Sequence, residues 1–117
     1  MKLGFESPYG RMERHERIIR AAGIIDGEGS IYQKKGYYPV VTAEMTDEDV
    51  IEELHDLFGG SISTSKGRRE GYKQTYRLTV QGQKAIDLLE VCLPYFFSRR
   101  KQRAVEVMNE FYKHMAH

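Results

Sequence analysis

The nine residues Ala21-Ala22-Gly23-Ile24-Ile25-Asp26-Gly27-Glu28-Gly29 join two kinds of pattern, and the fold class turns on that junction. Upstream, Ile18, Ala22 and Ile25 recur at i, i+4 and i+7, the spacing of one apolar helix face, while Arg14, Arg17 and Arg20 fall elsewhere around the helix. Downstream, residues 30–35 and 37–45 read as extended runs separated by Gly36, the punctuation of a hairpin. A helix therefore gives way to a sheet at Glu28. Gly23 and Gly27, four apart, leave one flank of that helix without side chains, although each glycine costs about 1 kcal/mol of helix propensity. Such a flank is expected to admit the close approach of another backbone.

The same two patterns recur along the chain. Thr46 followed by Asp47-Glu48-Asp49 predicts a second helix with Thr46 as N-cap and acids in its first turn; Val50, Ile51, Leu54, Leu57 and Phe58 form its apolar stripe, and Gly59-Gly60 stops it. Two further strands are expected over 61–65 and 72–80, flanking a basic loop, Lys66-Gly67-Arg68-Arg69-Glu70-Gly71. A third helix through Ala85, Ile86, Leu88, Leu89 and Leu93 runs to Pro94. Ala104, Val107, Met108, Phe111, Tyr112 and Met115 mark a last helix that covers the core. The expected order is helix, two strands, helix, two strands, helix, helix. This is an α+β arrangement on a four-stranded antiparallel sheet, one domain over 11–117 behind an irregular lead-in at 1–10.

At 117 residues and 40% hydrophobic content the chain can bury one core and no more. Neither a leader-like apolar run nor a membrane-length stretch occurs, so an intracellular protein is expected. Cys92 has no cysteine partner, and the four histidines are scattered, so zinc-type ligation is absent and a metal must be a hard cation on carboxylate oxygen.

A net charge of +1 hides a strong separation along the chain. Between Ser61 and Val80, Lys66, Arg68, Arg69, Lys73 and Arg77 face Glu70 alone, and Arg99, Arg100, Lys101 and Arg103 form a second basic cluster. Glu44 to Asp56 carries only acids, expected on the side away from a polyanion. Alternation sends Lys73, Thr75, Arg77 and Thr79 to one face of their strand, and Ser30, Tyr32 and Lys34, with Ser61, Ser63 and Ser65, extend the same surface. Half-buried sheets always have a polar side; what distinguishes this one is its continuity with Glu28. These are residue types that bind phosphates and read base edges from a β ribbon in a major groove, and we read the face, with Lys66, Arg68, Arg69 and Lys101, as a DNA surface.

Residues 21–29 resemble the signature of the LAGLIDADG homing endonucleases, matching its glycines, aliphatic pair and two acids, with Ala21 for the first leucine and Glu28 for the second aspartate. Met45-Thr46-Asp47, Phe58-Gly59-Gly60, Tyr76-Arg77, Leu93-Pro94-Tyr95 and Gln102 extend the resemblance over roughly residues 17 to 112. The resemblance implies a saddle-shaped sheet over duplex DNA and a single-signature, homodimeric class cutting a long, near-palindromic target, encoded by a mobile element. It implies that Ala22, Gly23, Asp26 and Gly27 serve the helix interface, with Asp26 structural. Glu28 is then the metal-binding catalytic acid, and Arg99 stands where family members often carry a lysine five residues after the proline. Arginine keeps the charge but not a proton-transfer role, so electrostatic stabilisation is expected of it, with Lys101 as a substitute. Either Glu44 or Thr46 supplies a polar residue from the end of the second strand. Glu28 also lies where the helix dipole is negative, and a two-fold would bring two copies together, which calls for a divalent cation. Magnesium suits one or two carboxylates with waters and phosphate. A non-cleaving nucleic-acid-binding protein on the same fold, a splicing maturase or a regulator, is the alternative.

Overall fold

In a computed structural model the described residues are 13–65 and 73–116. They form α1 (Arg14–Glu28), β1 (Gly29–Lys34), β2 (Tyr38–Met45), α2 (Glu48–Phe58), β3 (Ser61–Ser65), β4 (Thr75–Gln81), α3 (Gln83–Cys92), a 3-10 turn at Leu93–Tyr95 and α4 (Ser98–Met115). The expected α+β order is what the chain adopts. The four strands lie in the order β1-β2-β4-β3, and each neighbouring pair is antiparallel. Among the described residues no helix is long and apolar enough to cross a membrane. The expected lead-in at 1–10 and the whole basic loop at 66–71 lie outside the described residues.

The alternation of the strands decides which side the helices take. Ile31, Val41, Ala43, Leu78 and Val80 share one face of the sheet and are buried with Ile18, Ala21, Ala22 and Ile25 of α1, Ile51 and Leu54 of α2, Leu88 and Leu89 of α3, and Ala104 and Val107 of α4. All four helices therefore use their apolar stripes on the same face, and among the described residues no helix lies on the opposite face. Cys92 is fully enclosed in this core, where burial pushes its thiol up to about 12, so it packs as an inert small hydrophobe.

Two boundaries differ from the sequence expectation. The N-cap of α2 is Asp47, whose carbonyl accepts the N–H groups of Val50 and Ile51 at 3.2 and 3.3 Å; Thr46 still belongs to the bend leaving β2. Strand β4 begins at Thr75, opposite Ser65 at the end of β3, and Tyr72 of the expected span lies outside the described residues. At the β1–β2 hairpin Tyr37 N–H reaches Lys34 O at 3.1 Å with Lys35 and Gly36 both at positive φ (53° and 82°), the backbone signs of a type I′ turn. Tyr37 then stacks on His114 of α4, ring centroids 3.5 Å apart.

Polar ties fix α1 and α4 to their neighbours. Arg17 donates from Nε to the buried carboxylate of Glu53 on α2 and from Nη2 to Asp56 Oδ2 at 2.6 Å. Burial opposes the charge on Arg17, but the bonds and fields of Glu53 and Asp56 outweigh it and its pKa is raised. On the outer edge of β1, Arg100 and Arg103 of α4 donate to Gly29 O and Ile31 O, so the sheet edge that would otherwise present free carbonyls is closed by guanidinium groups.

Candidate active site and nucleic-acid interface

No loop separates α1 from β1: Glu28 is the last helical residue and Gly29 the first of the strand. The chain can turn this sharply only because Gly29 lacks a side chain. A Cβ there would sit 2.6 Å from Ile25 O and 3.0 Å from Thr42 O, both backbone atoms that cannot swing aside. Gly29→Ala is therefore expected to destabilise the fold by about 1–3 kcal/mol in urea unfolding, as overpacking does. It should also displace Glu28 from the lip of the sheet.

Glu28 itself is exposed, and its carboxylate stands at the C-terminal end of α1. From sequence alone, that negative helix end is expected to attract a metal ion. The structure supplies a cation from within the chain as well, because Arg100 donates from Nη1 to Asp26 O, and from Nε and Nη2 to Gly29 O at 3.1 and 2.6 Å. These carbonyls flank Glu28, so Arg100 caps the helix end that has no basic residue of its own. Asp26 Oδ2 accepts the N–H of Phe97 of the same chain at 3.1 Å and ties the start of α4 to the end of α1.

Arg99 is exposed in the first turn of α4 and lines a cleft of about 800 Å³ together with Asp26, Ser30, Arg100 and Arg103. Arg100 and Arg103 are committed to backbone carbonyls. Among the described residues Arg99 makes no hydrogen bond or ion pair, so its whole guanidinium can meet an incoming anion in this cleft. Lys101 is exposed on α4 and does not line the cleft.

The flank of α1 resolves into two parts. Gly23 and Gly27 are exposed, and a Cβ at either would meet nothing within 4 Å, so this stripe is open to another molecule. Ala22 keeps to the apolar face its spacing assigns and departs from the interface role the resemblance implies: it is 0% exposed, its methyl is enclosed in the chain's own core, and it offers no surface to a partner. Asp26 is half-buried beside the open stripe.

The register assembles the polar sheet face. Ser30 lies opposite Thr42 and Tyr32 opposite Val40 in β1–β2; Glu44 lies opposite Arg77 and Thr42 opposite Thr79 in β2–β4; Ser63 and Ser65 lie opposite Arg77 and Thr75. Directly paired residues share a face, so Ser30, Tyr32, Lys34, Ser63, Ser65, Thr75 and Arg77 stand together on the helix-free side. Lys73 is exposed just ahead of β4, and Lys66, Arg68 and Arg69 lie outside the described residues. One acid breaks the expected charge separation. Glu48, Asp49, Glu52 and Asp56 are exposed on α2, among the helices, but Glu44 is on the polar face, 3.6 Å from Arg77 Nε.

Among the described residues no three His, Cys, Asp or Glu side chains are grouped to hold an ion. The donor set at the end of α1 fits a hard cation taken up by one carboxylate per chain, completed by waters, phosphate oxygens or a second chain, and not a cage within one chain.

Neither a family model nor a curated protein matches this sequence. Solved structures do match its fold. The homing endonuclease I-CvuI in complex with its target (Sro1.3) in the presence of 2 mM Ca superposes with a TM-score of 0.63 at 19% identity, over 86% of this chain and 68% of that one. The same enzyme with the I-CreI target (C1221) in 2 mM Mg, its DNA not cleaved, gives a TM-score of 0.62 at 19% identity over the same shares. The chain has the fold of the LAGLIDADG homing endonucleases.

Proposed function

We propose that this protein is a divalent-metal-dependent, site-specific double-stranded DNA endonuclease of the LAGLIDADG family that acts as a homodimer. The observation that carries the reading is the position of Glu28: an exposed carboxylate at a loopless helix-to-strand junction, at the lip of a helix-free polar sheet face, on the fold of I-CvuI. Two chains joined along the open Gly23/Gly27 stripes would bring two such carboxylates together and set two polar faces side by side.

In this reading Glu28 of each chain holds the cation, and magnesium is the natural choice for so sparse a donor set. When bound, it supplies a Lewis acid that lowers the pKa of water and neutralises the leaving oxygen of the phosphodiester. The chain's own residues do the positioning. Gly29 and Arg100 fix the backbone on either side of Glu28, Arg99 offers charge to the phosphate, and the sheet face orients the duplex in the groove. Strand cleavage assayed on selected duplexes with and without magnesium tests the activity directly; binding without cutting by the parent protein would favour the splicing-factor or regulator alternative.

The dimer has its own test. Gly23→Gln gains helix propensity and its Cβ meets nothing within 4 Å, so the monomer should be as stable as the parent or up to about 1 kcal/mol more so. The added side chain should block helix-to-helix approach. Sedimentation is expected to show dimers for the parent and monomers for the variant; dimers in both would remove α1 from the interface.

A further inference from the structure

Among the described residues on the polar face, Glu44 is the only carboxylate, and it is held in place. Arg77 Nε lies 3.6 Å from Oε1, and Thr75 Oγ1 donates to Oε2 at 2.6 Å. Ser65 Oγ meets the same threonine oxygen at 2.5 Å. Both members of the ion pair are about half exposed, at 43% for Glu44 and 53% for Arg77, and they stand directly opposite each other in the β2–β4 register. A carboxylate facing a polyanion opposes non-specific binding, because it repels phosphate wherever the protein sits on the duplex. An oriented carboxylate paired with an arginine has a specific use, since it demands a hydrogen-bond donor beside an acceptor.

We propose that Glu44 and Arg77 together read one cytosine–guanine base pair in each half-site of the target. The inference rests on the DNA-binding reading above. Arg77 meets Glu44 through Nε and so keeps its two terminal nitrogens, the fork that matches guanine O6 and N7. Glu44 keeps acceptor capacity on both oxygens for the cytosine N4 amino group. Within one C·G pair that amino group and guanine O6 lie side by side in the major groove, as the carboxylate and guanidinium do on the sheet. Reversing the pair would set guanine O6 against the carboxylate, and a thymine in the cytosine position would do the same with O4, so the device selects orientation as well as composition. Thr75, braced by Ser65, keeps the carboxylate from turning away.

The test is selection from a pool of randomised duplexes in metal-free buffer, run in parallel with the parent, Glu44→Gln and Arg77→Ala, all confirmed folded by circular dichroism. The parent is expected to enrich sites with a C·G pair at one position per half-site, favoured about tenfold or more over its reversal. Glutamine pairs with adenine N6 and N7, so Glu44→Gln should shift that position from cytosine towards adenine. Arg77→Ala should relax the guanine at the same base pair. Identical consensus sequences from all three proteins would overturn the proposal while leaving DNA binding intact. A parent that enriches no sequence would overturn it together with the DNA-binding reading on which it rests.

Discussion

Replacing Glu28 by glutamine is expected to abolish strand cleavage, by about a thousandfold or more, while leaving duplex affinity at or slightly above that of the parent. Glutamine keeps the length and the hydrogen-bonding amide but removes the charge on which a hard cation depends. The fold should not suffer. Glu28 is exposed, makes no ion pair among the described residues, and stands at the negative end of α1, where removing a negative charge is neutral or mildly stabilising. Affinity should hold because the sheet face is untouched and one anion fewer confronts the phosphates. Gel-shift and cleavage assays on the same selected duplex separate the two effects. Undiminished cutting by the variant would take Glu28 out of the chemistry.

The second large effect concerns stability. Arg17→Met removes the partner of Glu53, whose side chain is only 3% exposed, and leaves that carboxylate buried without its cation. A loss of about 3–5 kcal/mol in urea unfolding is expected, since a stranded buried charge costs more than the pair contributes. Asp56, the other acceptor, is 53% exposed and adds little. The double variant Arg17→Met with Glu53→Leu should recover most of the loss, because two apolar side chains of similar volume can replace the pair. If the single and double variants unfold alike, the cost lies in the packing of the Arg17 stem and not in the stranded carboxylate.

The sequence and the structure agree where local chemistry decides, and part where tertiary packing does. Periodicity and glycine placement in residues 14–34 suffice to place the α1–β1 junction, because both patterns are local. The polar face was equally legible, since a period of two allows a strand only one assignment of faces. Spacing alone sends Ala22 inward, between Ile18 and Ile25 on the apolar face, whereas the resemblance assigns it with Gly23 to the helix interface; a difference of one position, about 100° around the helix, turns its methyl into the core as the spacing requires. Arg100 was hidden among four cations in residues 99–103. Which of them meets the end of α1 depends on the phase of α4, and that is set by the short 3-10 turn at Leu93–Tyr95, a packing outcome with no strong local signal. The spacing of Arg100 and Arg103, i and i+3 on one helix face, was the available clue, and both reach the β1 edge. Glu44 illustrates the opposite lesson: it was grouped by charge with the acids that follow it, although as the penultimate residue of β2 it obeys the strand's alternation and not the company of its neighbours.

The proposed nuclease requires two copies of Glu28 to meet across a two-fold beneath bound DNA and share hard cations. Anomalous diffraction from crystals of the protein with a selected duplex and manganese in place of magnesium tests it most directly. Manganese peaks are expected between the paired α1 helices, within coordination distance of Glu28 from both chains and of phosphate oxygens. Glu28 side chains far apart, with their helices unpaired and manganese elsewhere, would contradict it.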